Sequence, residues 1–242
     1  MTTPHETPIL ELRDIRAGYG SISVLHGVDV VVPRGSVVAL LGPNGAGKTT
    51  TLKVAAGVLR PESGQVRIGG RDVTGVSAGS LARAGGCTIP EGRGVFPNLT
   101  VRENRLRATF GGTKLADIEE RTYQRFPRLA ERRTQLAGTM SGGEQQMLTL
   151  ARALATEPVM LLLDEMSMGL APKIVGQLYE QVAGIAAEGV SVLVVEQFAR
   201  TVLGVADQAV LLAHGVVRRA GPTSEISEDA LANAYLGDRH ER

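Results

Sequence analysis

Residues 42–49 read Gly42-Pro43-Asn44-Gly45-Ala46-Gly47-Lys48-Thr49, the spacing GxxxxGK[ST] that can cradle a chain of phosphates. Glycines in such a loop let backbone N–H groups turn inward without Cβ clashes. Lys48 brings a positive charge to the β- and γ-phosphates of a nucleotide, and a helix starting there adds the partial positive end of its dipole. Thr49 offers a hydroxyl to the Mg2+ that accompanies the phosphates.

A second pair of groups stands at residues 164 and 165, where the apolar run MLLLD is followed by Glu165. An apolar strand ending in two carboxylates presents both at the C-terminal edge of a sheet, where open α/β folds bind ligands. Asp164 is then placed to hold Mg2+, and Glu165 to orient and polarise an attacking water. Taken alone, LLLDE is more often a plain strand end than a catalytic pair; downstream of a phosphate loop the catalytic reading takes over. A third element is Ser141-Gly142-Gly143-Glu144-Gln145. Ser before a helix with Glu three residues later is a capping box. The same hydroxyl and free N–H groups also make an anion site. One nucleotide does not need two such sites in one domain, so a surplus site makes sense if it closes over a nucleotide held by another subunit.

These groups need strands and helices to hold them. Residues 9–15 and 24–32 alternate or run apolar and predict strands, with a turn at Pro33-Arg34-Gly35. SVVALL, residues 36–41, predicts a strand buried on both faces, feeding the loop and then a helix over 48–57 that Gly57 closes. A turn at Pro61-Glu62-Ser63-Gly64 leads into a strand at 65–70. Residues 101–110, 117–126 and 142–155 carry helical periodicity, the last with Met147, Leu150, Ala151 and Leu154 on one face. The α/β rhythm resumes with strand 159–164, helix 172–188 and strands 191–196 and 209–213.

Composition narrows the class. The 242 residues suit one domain with a subdomain, 43% hydrophobic and 21% charged, as in an ordinary soluble globular protein. Lys and Arg number 26 against 25 Asp and Glu, a net charge of +1, so no broad electrostatic footprint for nucleic acid is expected. Aromatic residues at 3%, with no Trp, make a base-stacking platform equally unexpected. The single Cys87 forms no internal disulfide and agrees with a reducing cytosol. Apolar runs at 37–41, 159–163 and 190–195 fall well short of the roughly 18–20 residues that cross a bilayer. The N-terminal MTTPHETPIL does not read as a secretory signal. At a membrane, other chains would have to hold this one.

SGGEQ lying between the phosphate loop and LLLDE resembles the signature motif of ABC ATPases, and the match covers nearly the whole chain. The resemblance implies a P-loop NTPase (RecA-like) ABC ATPase core of α/β type, with an antiparallel β subdomain and a helical subdomain insert. The core would comprise 9–90 and 156–242, and the helical, signature-bearing part about 91–155. Tyr19, in RAGYG, sits where the family stacks an aromatic on adenine; a turn Tyr packing on the sheet edge is the bland alternative. Ser167-Met168-Gly169-Leu170-Ala171 falls at the loop that in the family crosses the dimer interface. The stretches PEGRGVFPNLTVREN, YQRFPRLAERRTQLAGTMSGGEQQML, MGLAP, LVVEQ and AYLG together look like the second ATPase subunit of branched-chain amino-acid importers.

The resemblance assigns ATP contacts to Tyr19, Gly42, Pro43, Asn44, Gly45, Ala46, Gly47, Lys48, Thr49 and Thr50. From the signature it adds Ser141, Gly142, Gly143 and Glu144. It assigns Mg2+ to Thr49, Glu91 and Asp164, and catalysis to Glu165, Gln197 and Lys48. Four positions depart from the general pattern. Glu91 stands for the loop Gln, and can still ligate Mg2+ while adding negative charge near the γ-phosphate. Gln197 stands for the switch His; its amide can donate to phosphate but cannot become charged. Both are similar to the amino-acid importer subgroup. Met166 replaces a Pro and Ala171 an Asp, which bears on the geometry of the dimer interface.

The implied activity is ATP hydrolysis by an importer subunit, with dimer closure coupled to a membrane permease. The implied partners are a second ATPase subunit, identical or related, permease subunits and, indirectly, an extracytoplasmic solute-binding protein. Such a chain would lie on the cytoplasmic face of the inner membrane and be soluble when isolated. Importers of urea or short amides use similar ATPases and are the alternative substrate class. A non-transport ABC ATPase of DNA repair or translation is the rival function; no sustained heptads, zinc module or second phosphate loop speaks for it. A small-molecule P-loop kinase gives no reason for SGGEQ at a helix start.

Overall fold

The structure is a computed structural model that describes residues 7–92, 94–106, 115–227, 231 and 235. The helix expected over 101–110 is described for Val101–Leu106 only, and of AYLG only Tyr235 is described; the rest of both lies outside the described residues.

Two sheets form. The first is antiparallel, order β2-β1-β4-β5, built from β1 (Leu10–Tyr19), β2 (Ile22–Val32), β4 (Ser63–Ile68) and β5 (Arg71–Asp72). The second has the order β10-β9-β3-β8-β7-β6. It comprises β3 (Val37–Leu41), β6 (Gly86–Ile89), β7 (Met160–Asp164), β8 (Ser191–Glu196), β9 (Gln208–Ala213) and β10 (Val216–Pro222). Strands β9, β3, β8, β7 and β6 run parallel, and β10 closes one edge antiparallel to β9. The helices are α1 (Lys48–Ala55), α2 (Ala78–Arg83), α3 (Val101–Leu106), α4 (Leu115–Arg125), α5 (Pro127–Glu131), α6 (Gly142–Leu154), α7 (Pro172–Ala187) and α8 (Ala199–Val202).

The uninterrupted apolar runs of β3, β7 and β8 follow from burial on both faces. Val37, Ala39 and Leu41 join one apolar cluster with Leu161, Leu163, Val192 and Val194, beneath α6 and α7. Val38 and Leu40 join the other with Met160, Leu162, Leu193 and Val195, facing α1 and the first sheet. Alternate residues of each strand therefore serve two cores, and a one-residue slip would exchange them.

Local outcomes differ from the sequence pattern at a few places. The first hairpin runs on to Tyr19, because irregularities after Leu12 and Ala17 restore pairing beyond the alternating stretch. Ser63 and Gly64, expected in a turn, already belong to β4, Gly64 taking φ +95° where β4 passes the β1 irregularity at Asp14. Helix α6 buries more than one stripe: Gln145, Gln146, Leu148 and Thr149 are buried along with Leu150 and Ala151.

Candidate functional site

Parallel alignment brings the C-terminal ends of β3, β6, β7 and β8 to one edge of the second sheet. The loop after β3 carries 42–47, the segment after β6 carries Glu91, β7 ends in Asp164, and β8 is followed by Gln197. Gly47 takes φ +104° as N-cap of α1, and a Cβ there would stand 2.7 Å from Leu25 Cδ2. Only glycine suits both the backbone and the space. Gly42 is held against β9, where a Cβ would fall 2.1 Å from the Leu212 carbonyl oxygen.

Lys48 is buried, and its Nζ donates to the Gly42 carbonyl at 2.9 Å and the Pro43 carbonyl at 3.1 Å. The same ammonium lies 3.5 Å from Glu165 Oε1. Thr49 Oγ1 donates to Asp164 Oδ1 at 3.4 Å, across 115 residues of chain. Asp164 is 3% exposed, and burial pushes its carboxyl up to about 6, helped by the neighbouring Glu165 and Glu91 carboxylates and opposed by Thr49 and Lys48. Glu165 holds φ +44°, a left-handed conformation uncommon outside glycine and typical of functional turns. Its N–H donates to the Val195 carbonyl at 2.9 Å, which fixes it to β8.

Thr49 and Asp164 thus meet, with the exposed Glu91 felt at Asp164 through its charge, and oxygen donors of this kind suit a hard divalent cation. A carboxylate raised first by burial and then by neighbouring negative charge is also what a cation at that point would relieve.

Tyr19 and the signature residues share no hydrogen bond or ion pair with this group among the described residues. Tyr19 is 44% exposed at the end of β1, with Lys53 of α1 5.5 Å from its ring centroid. Ser141 caps α6: its Oγ donates to Glu144 Oε2 at 2.8 Å, Ser141 N–H donates to the same oxygen at 3.0 Å, and Glu144 N–H donates to Ser141 Oγ at 3.4 Å. Arg132 Nε lies 3.0 Å from Glu144 Oε1. Among the described residues, this turn shares no hydrogen bond or ion pair with 42–50. Gly143 packs on α7, where a Cβ would meet Ile174 Cγ2 at 2.3 Å. Helix α6 is pinned to the Glu91 segment instead. Gln146 Nε2 donates to the Gly92 carbonyl at 3.4 Å, Arg152 to the Gly94 carbonyl, and the Arg152 guanidinium stacks on Phe96.

Two contributors went unread in the sequence. Tyr235 OH donates to the Gln197 carbonyl at 2.5 Å, which ties the chain near 235 to the segment after β8. Glu196, the last residue of β8, is buried and accepts from Ser167 and Tyr179. Met166, at the position of the expected Pro, is 1% exposed and fills the core beneath α7. Met168 and Phe198 flank the carboxylate edge and are 52% and 58% exposed.

Residues 25–168 match the family described as ABC transporter. A high-affinity branched-chain amino acid transport ATP-binding protein, BraG of Pseudomonas aeruginosa, is 41% identical over 95% of this chain and 100% of its own. A lipopolysaccharide export system ATP-binding protein, LptB of Acidithiobacillus ferridurans, is 35% identical over 96% of this chain and 98% of its own. A crystal structure of the ADP conformation of an ATP-binding cassette superposes with TM-score 0.82 at 26% identity, covering 96% of both chains.

Proposed function

The chain belongs to the ABC transporter family as an ATP-hydrolysing subunit, and from that premise we propose that it powers import of branched-chain amino acids. The observation that carries hydrolysis is the meeting of Lys48, Thr49, Asp164 and Glu165 at one sheet edge. In this reading phosphate oxygens compete with the Gly42 and Pro43 carbonyls for the Lys48 ammonium. Backbone N–H groups of the loop and of the first turn of α1 receive the remaining phosphate charge. Thr49, Asp164 and Glu91 would hold Mg2+, which when bound neutralises charge on the β- and γ-oxygens. Glu165 accepts a hydrogen bond from the attacking water and holds it in line. Gln197 donates its amide to the γ-phosphate, a role that needs no titrating group. Tyr19 stacks on the base.

Ser141, Gly142, Gly143 and Glu144 serve a nucleotide on a second ATPase subunit, identical or related. Two features support that pairing: the signature turn shares no hydrogen bond or ion pair with this chain's own phosphate loop among the described residues, and Met168 and Phe198 are apolar and exposed beside the catalytic edge. The segment of about 91–155 acts as the helical subdomain of the 9–90 and 156–242 core. Among the described residues no helix is long and apolar enough to cross a membrane; in this reading, as a transporter ATPase, the chain is held at the cytoplasmic face by permease subunits. An extracytoplasmic binding protein delivers the solute, and nucleic acid plays no part.

The substrate and the inward direction rest on similarity to BraG. Similarity to LptB, an export-system protein, supports the second reading of an exporter. Reconstitution of the purified complex in vesicles decides between them. ATP-dependent uptake of leucine, isoleucine or valine is the expected outcome. Uptake of urea or a short amide, or extrusion of a lipid, would replace this substrate.

A further inference from the structure

Glu196 is 1% exposed and ends β8 immediately before Gln197. Ser167 N–H donates to its Oε1 at 3.1 Å and Ser167 Oγ to its Oε2 at 2.8 Å, while Tyr179 OH donates to Oε1. One carboxylate therefore joins the end of β8, the loop two residues beyond Glu165, and α7. A buried carboxylate is costly unless its lone pairs are used; an apolar residue would end β8 without that cost. The arrangement has a use at Glu165, whose φ of +44° persists only if its surroundings over-determine it. Residue 195 holds it from one side, through the Glu165 N–H to Val195 carbonyl bond. Residue 196 holds the chain that follows, through Ser167. Met166, between them, is packed in the core.

We propose that Glu196 is a positioning residue for hydrolysis, fixing Glu165 and Gln197 relative to one another through Ser167 and Tyr179. It rests on the reading of Glu165 as the group that orients the attacking water. The same link reaches the signature, because Tyr179 lies on α7, whose first turn places Ile174 against Gly143.

Steady-state ATP hydrolysis by the full chain tests this, with nucleotide affinity and thermal midpoint measured in parallel. Glu196→Ala is expected to lower kcat about tenfold or more while KM stays within about twofold. Ser167→Ala and Tyr179→Phe lower kcat by smaller factors, and Ser167→Ala adds little in the Glu196→Ala background. Glu196→Gln keeps an acceptor for Ser167 N–H and Tyr179 OH and can donate to Ser167 Oγ, so it restores most of the rate. The parent kcat in Glu196→Ala would overturn the proposal. So would a parallel fall of kcat, affinity and midpoint in both alanine variants, or a Gln variant no better than Ala. Should Glu196→Ala fail to fold, Ser167→Ala and Tyr179→Phe decide by the same split between kcat and KM. Glu165→Gln is the control: turnover at the parent rate there removes the catalytic reading itself, whatever Glu196 does.

Discussion

Asp164 shows how the site trades stability for chemistry. Its carboxyl is pushed up to about 6 from an ordinary value of 3.8, first by burial and then by Glu165. Between those values the folded state binds the proton more tightly than the unfolded chain does. Stability contributed at this residue is therefore present at low pH, is lost as pH rises through about 4 to 6, and stays lost above it. Replacing the ionisable oxygen removes that penalty. Asp164→Asn, free of metal and nucleotide, should be more stable than the parent at pH 7.5 by roughly 1–3 kcal/mol, and equal to it at pH 4. Urea denaturation at the two pH values checks this; equal stability at both would contradict it. The phosphate loop and the carboxylate pair were legible in sequence because each is contiguous and follows an apolar run. Glu196 was not, because its partners Ser167 and Tyr179 lie 29 and 17 residues away along the chain. Nothing local distinguishes a buried Glu closing a strand from an exposed one.

Helices α6 and α7 meet where Gly143 leaves no room. A Cβ at 143 would stand 2.3 Å from Ile174 Cγ2, a methyl on a β-branched side chain with few other rotamers. Gly143→Ala should therefore cost about 1–3 kcal/mol in thermal or urea unfolding, and Ile174→Ala should recover most of it. No cost from Gly143→Ala, or no recovery in the double variant, would show that the helices part freely. The signature glycine thus has a packing duty that its motif does not advertise. Elements fully buried on both faces, β3, β7 and β8, could be read from their unbroken apolar runs. The edge strands of the second sheet could not: β6 buries only Ile89, and β10, VVRRAGP, leaves Arg218, Arg219 and Ala220 exposed. Their pairing is set by the neighbouring strand rather than by their own pattern. The extension of β1 to Tyr19 was hidden for a related reason, since Asp14 at φ +44° breaks the alternation midway.

At the scale of the whole molecule, the two sets of residues proposed to serve nucleotides share no hydrogen bond or ion pair among the described residues. Lys48, Thr49, Asp164 and Glu165 gather at one edge, while Ser141 and Glu144 satisfy each other at the start of α6. Met168 and Phe198 leave apolar surface open beside the first set. Sequence could propose this division, because one nucleotide has no use for two anion sites, but the lack of a polar link between the sets among the described residues needed coordinates. The account stands on this chain closing with a second ATPase subunit, an identical copy or a related chain, so that each signature completes the other's site. Sedimentation of Glu165→Gln with ATP and Mg2+ tests that most directly, since blocked hydrolysis should hold the closed pair. The account predicts a dimer that dissociates on nucleotide removal, and a monomer that still binds ATP when Ser141→Arg is added. A Glu165→Gln chain that remains monomeric with bound ATP both alone and with a related ATPase subunit, or a dimer indifferent to Ser141→Arg, would contradict it.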